Sequence, residues 1–153
     1  VISLRCNGAG RRRPLRRDKS VAGALWSDRV IYLAVAIGGA LGALSRFGMG
    51  QWLADSGYAH LHPATFLVNV IGALLIGILF VGAERFALSE PARLGMSVGF
   101  LGAFTTFSAF SLQLLTDMQE GEVLRAASYA AATVFLCLIS CLVGVELAKS
   151  IFD

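Results

Sequence analysis

The sequence predicts an all-α integral membrane protein of four transmembrane helices, with the third helix broken at mid-membrane. Three observations carry that expectation. Of 153 residues, 56% are hydrophobic and only 15% charged, with a mean hydropathy of +0.71, which is more apolar surface than a soluble domain of this size can hide. Four stretches, Val30–Trp52, Thr65–Ala83, Gly95–Met118 and Val123–Leu147, can each cross a hydrocarbon layer of about 30 Å at about 1.5 Å per helical residue. The third is interrupted by Gly99-Phe100-Leu101-Gly102-Ala103-Phe104-Thr105-Thr106-Phe107-Ser108-Ala109-Phe110-Ser111. Glycines and β-branched threonines weaken helical hydrogen bonding there, so the freed backbone groups must face protein, a water-filled cavity or an ion. Interrupted helices of this kind mark ion and substrate sites in transport proteins.

Residues 1–28 form a basic N-terminal tail, and in its first nineteen residues Arg5, Arg11, Arg12, Arg13, Arg16, Arg17 and Lys19 face only Asp18. It reads as disordered and solvated, and beside a membrane helix its charge suits anionic lipid better than nucleic acid, which is not expected as a partner. Residues 29–149 form one four-helix domain. No nucleotide-binding loop or soluble catalytic unit is present in the sequence, so an enzyme is not expected, and transport is passive or ion-coupled.

In the first span, Gly38, Gly39, Gly42 and Ala43 recur at four-residue spacing and make a smooth face for close helix packing. Arg46 continues that face inside the apolar stretch. It either snorkels to the headgroups or anchors an anion entrance or a structural hydrogen bond. His60 and His62 precede Pro63 without a neighbouring acidic cluster, and read as a solvated loop rather than a metal site. The second span starts with proline and Thr65, a fair cap. Asn69, one turn later on the same face, must find partners for its amide. As an interhelical clamp it is structural, and as a pore-lining group it offers N–H donors to an anion.

In the third span Phe100, Phe104, Phe107 and Phe110 follow helical spacing and interleave with Thr105, Thr106, Ser108 and Ser111. A phenylalanine stripe is ordinarily core or lipid-facing. Beside hydroxyls and an amide, the positive ring edges also suit a small anion. Carbonyls freed at Gly102 to Thr105 could separately hold a small cation. The fourth span places Tyr129, Thr133 and Cys137 at four-residue steps, with Ser140 and Gly144 continuing the face. Intrahelical hydroxyl bonding and a polar track remain equal readings. Cys137 and Cys141 are expected to act as small apolar packing groups. No acidic residue lies well inside a span, since Glu84 and Glu146 sit near the ends. A carboxylate at depth is the usual carrier in proton-coupled export. Its absence separates a neutral, donor-lined anion path from the alternative, a small four-helix multidrug or cation exporter.

Gly38-Gly39-Ala40-Leu41-Gly42-Ala43-Leu44-Ser45-Arg46-Phe47 resembles the first-helix signature of the fluoride-specific ion channel family, called Fluc or CrcB. Thr65-Phe66-Leu67-Val68-Asn69 resembles its second-helix signature, and Gly99 to Ser111 its third. The match covers nearly all of Val30 to Leu147. The resemblance implies a fluoride-selective passive channel in the bacterial inner membrane that exports cytoplasmic fluoride. It also implies an antiparallel, dual-topology homodimer with two pores and a structural Na⁺ at its centre. By the same resemblance the backbone carbonyls of Gly102 and Thr105 from both subunits would hold the Na⁺. Phe107 and Phe110 would be the pore aromatics, Asn69 with Thr65 on its face a fluoride donor, and Ser108 a vestibule hydroxyl. Tyr129 and Thr133 would line the exit track. Ala103 and Ala109 depart from the family pattern without removing a backbone carbonyl. The Lys/Arg distribution, taken alone, favours a cytoplasmic N-terminus.

Overall fold

The computed structural model describes residues 19–54 and 62–152, and among these all regular structure is helical. Helix α1 spans Lys19–Ala54 and α2 spans Pro63–Arg85. The third span is composite. It comprises α3 at Glu90–Leu94, a π-helical stretch at Gly95–Leu101, α4 at Gly102–Phe104 and α5 at Phe107–Gln119. Helix α6, Val123–Phe152, ends the fold. Among the described residues four units, Asp28–Ala54, Pro63–Arg85, Glu90–Gln119 and Val123–Phe152, are long and apolar enough to cross a bilayer. Residues 1–18 of the predicted tail lie outside the described residues, as does His60. Helix α1 already runs from Lys19, ahead of the expected boundary at residue 29, because no proline between Pro14 and Pro63 interrupts it.

The helices pack as two pairs, α1 against the third span and α2 against α6. Glycine sets both crossings. A Cβ added to Gly38 would strike the Gly95 carbonyl oxygen, and one added to Gly42 the Phe100 carbonyl oxygen. The small-residue face of the first span is therefore a packing face. On the other pair, Gly77 of α2 lies against the Cys141 carbonyl and Gly144 of α6 against the Leu74 carbonyl. Each helix thus gives its partner one glycine at which the backbones nearly touch. Gly144 was expected on the polar face of α6 and serves this crossing instead.

The π-helical turns coincide with the contact to α1, where Gly99 packs on Val35 and Gly95 on Ala34. Widened turns let the span follow α1 closely before it straightens. Farther on, Thr105 (φ −79°, ψ 159°) and Thr106 (φ −150°, ψ 121°) leave the helical region for two residues, while the span as a whole bends by 18°. The interruption is narrower than the thirteen-residue run the sequence marks, because most of that run packs as helix. Helix α5 ends with Gly121 at φ 83°, a left-handed cap that turns the chain into α6.

Candidate functional site

The interruption is held by one side chain. Asn69 of α2 donates from Nδ2 to the Thr106 carbonyl oxygen at 3.0 Å and accepts the Thr106 N–H on Oδ1 at 2.8 Å. Both alternatives for Asn69 survive this geometry. The amide is an interhelical clamp, and one Nδ2–H remains uncommitted because a primary amide carries two donors.

The clamp changes the partners of two carbonyls. In a continuing helix the Thr106 amide would bond the Gly102 carbonyl and the Ala109 amide the Thr105 carbonyl. Here the Thr106 amide goes to Asn69, and the Ala109 amide goes to the Thr106 hydroxyl at 3.2 Å. The Gly102 and Thr105 carbonyls therefore lose their helical donors. Arg46 is half-buried and places Nη1 3.5 Å from the Thr105 oxygen, at the long limit of a hydrogen bond. Its side chain turns toward the interruption rather than away to a headgroup. The Thr105 hydroxyl bonds back to the Leu101 carbonyl at 2.9 Å, leaving the Thr105 carbonyl as the outward acceptor.

Beside the interruption lies an open groove of about 570 Å³ lined by Asn69, Gly102, Thr105, Thr106, Phe107, Phe110 and Thr133, with Cys137 and Cys141 farther along α6. None of its lining residues carries a charge. Phe107 stands 76% exposed at its edge, whereas Phe110 is only 5% exposed. Their rings are 5.5 Å apart, and Phe110 is 5.4 Å from Tyr129. Thr133 is 5% exposed, and its hydroxyl lies one helical turn from Tyr129, within reach of that residue's hydroxyl.

The structure thus brings together Asn69, Gly102, Thr105, Phe107, Phe110 and Thr133. Thr65, Ser108, Tyr129 and Arg46 surround the groove without lining it. Ser108 pairs its hydroxyl with that of Thr106 at 3.2 Å. Thr65 and Tyr129 are joined through Gln113, a residue the sequence reading passed over. Gln113 donates from Nε2 to the Thr65 hydroxyl at 2.9 Å and accepts from the Tyr129 hydroxyl on Oε1 at 3.1 Å. Its spacing from Phe110, one helical turn, is the signal that could have found it.

Four further residues bear on the surroundings of the groove. Cys137 and Cys141 are half-buried free thiols on the face of α6 that also carries Thr133, Gly144 and Ala148, and both line the groove. His62 is not solvated, since its Nε2 lies 3.2 Å from Asp117 Oδ1. Asp117, near the end of the third span, is a fully buried carboxylate whose position in the sequence, close to the polar turn before α6, gave no sign of its burial.

The sequence profile of the family described as "CrcB-like protein, Camphor Resistance (CrcB)" matches residues 33–145. Among similar curated proteins is the fluoride-specific ion channel FluC of Thermus thermophilus, 43% identical over 78% of this chain and 94% of its own length. The protein of the same name from Pseudomonas fluorescens is 41% identical over 78% of this chain and 97% of its own length. That of Geotalea uraniireducens is 37% identical over 81% and 99%.

Proposed function

This chain belongs to the CrcB family, and from that membership and the geometry of its groove we propose that it is a fluoride-selective passive ion channel that exports cytoplasmic fluoride. It is a multi-pass protein of the bacterial membrane. The observation that carries the reading is the Asn69 clamp, which interrupts a membrane-spanning helix beside a neutral groove that offers donors and no carboxylate. A small anion leaving water needs hydrogen-bond donors and positive dipole ends, and an ionised carboxylate would repel it. The uncommitted Asn69 N–H, the Thr133 hydroxyl at the groove wall, the ring edges of Phe107 and Phe110, and the N-terminus of α5 meet that need. Thr65, Gln113 and Tyr129 extend it as a chain of polar groups, with Ser108 and Arg46 at its flank.

In this reading the interruption lies near the bilayer midplane, and two antiparallel copies complete the pores across the groove. The Gly102 and Thr105 carbonyls, stripped of helical donors, are suited to a hard cation such as Na⁺, which would supply a fixed positive charge at the dimer centre. An exporter of cations or drugs would require a free carboxylate at depth, whereas Asp117 is paired with Arg125 and His62.

Purified protein in liposomes loaded with fluoride and chloride, followed with ion-selective electrodes, tests the proposal. Fluoride efflux without comparable chloride efflux is expected. Well-folded protein that releases no fluoride would overturn it.

A further inference from the structure

A second groove lies between the two helix pairs, apart from the polar one, and every residue that lines it is apolar or glycine. It measures about 690 Å³ and is open along the side where Ile37, Leu41 and Met96 stand about half exposed. Leu41, Leu75, Phe100 and Leu101 form its inner end. Leu41 stands midway along the span Asp28–Ala54, and Leu75 midway along Pro63–Arg85. Phe86, Leu88, Pro91 and Phe152 form its outer end, where the Phe86 and Phe152 rings meet edge-on at 5.0 Å. At that level α2 and α6 finish and the third span begins. The groove therefore runs from the mid-height of the bundle to one membrane edge. From Leu75 to Phe86 along α2 this is about 16 Å, close to half of a hydrocarbon layer of about 30 Å. At the outer end Arg85 donates from Nε to the Phe152 carbonyl oxygen at 2.8 Å, which holds an exposed guanidinium beside the mouth.

We propose that this groove seats an acyl chain of a glycerophospholipid from the adjoining leaflet, with Arg85 meeting its phosphate. Length selects this occupant. A helix of a second copy would cross the whole layer and continue past Leu41 and Leu75, whereas an acyl chain of one leaflet ends at mid-height, where the groove ends. Composition selects it too, because a lining with no polar side chain leaves any polar group of an occupant unpaired. The guanidinium fork at the mouth suits the one anionic group that every such lipid carries at this depth. The polar groove uses another face of α2, at Asn69, Gly72 and Ile76 rather than Leu75, Leu79 and Gly82, so both grooves can be filled at once. Leu101 is a wall of each. With Phe100 it belongs to the π-helical stretch that leads into the interruption, so a seated chain packs against those turns and stabilises the folded protein. The site needs only the membrane setting and not the passage of fluoride.

The full chain, reconstituted in vesicles that contain a small fraction of phosphatidylglycerol with a photoactivatable diazirine at mid-chain, tests this when cross-linked positions are mapped by mass spectrometry. Labelling of the wild type is expected to concentrate at Ile37, Leu75, Leu79 and Met96, at least about tenfold above Phe135 and Leu142, which are equally exposed to lipid but line neither groove. Even labelling of all exposed apolar positions would overturn the inference, and this reading needs no variant to fold. Ile37→Trp fills the groove from its exposed wall and should lower labelling at Leu75 and Leu79 at least about tenfold, while Leu142→Trp should leave it unchanged. Arg85→Gln keeps an amide donor for the Phe152 carbonyl but no charge, and should lower groove labelling about threefold. Unchanged labelling in Arg85→Gln would remove the phosphate contact and with it the phospholipid as occupant. An Ile37→Trp protein that loses self-association in light scattering while its lipid labelling persists would assign the groove to a second copy and overturn the inference.

Discussion

Asn69 illustrates how one side chain can set both local backbone and chemistry. Its two hydrogen bonds to Thr106 take the place of one helical bond and hold two residues extended. Asn69→Asp would keep the acceptor for the Thr106 amide but set a carboxylate oxygen against the Thr106 carbonyl, leaving a partly buried acceptor unpaired at about 1–3 kcal/mol. We expect a fall in thermal stability together with at least about a tenfold loss of fluoride efflux. Wild-type efflux from the Asp variant would show that the clamp is dispensable. An amide in an apolar span announces that it needs partners, so Asn69 was legible. Its partner was not, because Thr106 is distant in sequence. Gln113 and Asp117 were missed for the same reason, since their roles come from Thr65, Tyr129, His62 and Arg125, which lie on other turns or other helices.

Among the helices, α2 and α6 cross at Gly77 and Gly144, each facing a carbonyl of the other helix. A side chain there meets backbone, which cannot step aside without separating the helices. Gly77→Val should therefore abolish or severely reduce folded protein, read by size-exclusion chromatography in detergent. Gly48→Ala, at a position with no atom within 4 Å of an added Cβ, should be neutral or stabilising by up to about 1 kcal/mol, because alanine is the better helix former. Comparable losses in both variants would refute the crossing argument. The α1 packing face was readable from its close repeat of glycines. The α2–α6 crossing was not, because its two glycines are isolated on separate helices and only their meeting gives them meaning.

At the scale of the whole molecule, the chain leaves its groove open and two carbonyls without helical donors. Both conditions are satisfied if a second copy covers the groove and a small cation sits between the carbonyl sets. Replacing Na⁺ with a bulky organic cation should then lower dimer stability and fluoride efflux together, through loss of a ligand bound only to the folded assembly. No radioactive sodium should cross with fluoride. Sodium uptake coupled to fluoride would make the chain a symporter and end the central-ion reading. By itself the sequence determined the membrane setting, the number of spans, the place of the interruption and several of the residues that line the groove. Those properties are written in local hydropathy, in glycine and threonine content, and in polar residues where an apolar run has no other use for them. Only the tertiary structure decided which carbonyls lose their donors, which glycines join helices, and that His62, Asp117 and Arg125 share one buried site. The physical reason is that hydrogen-bond satisfaction and close packing are properties of residue pairs, and the pairs that matter here join segments far apart along the chain.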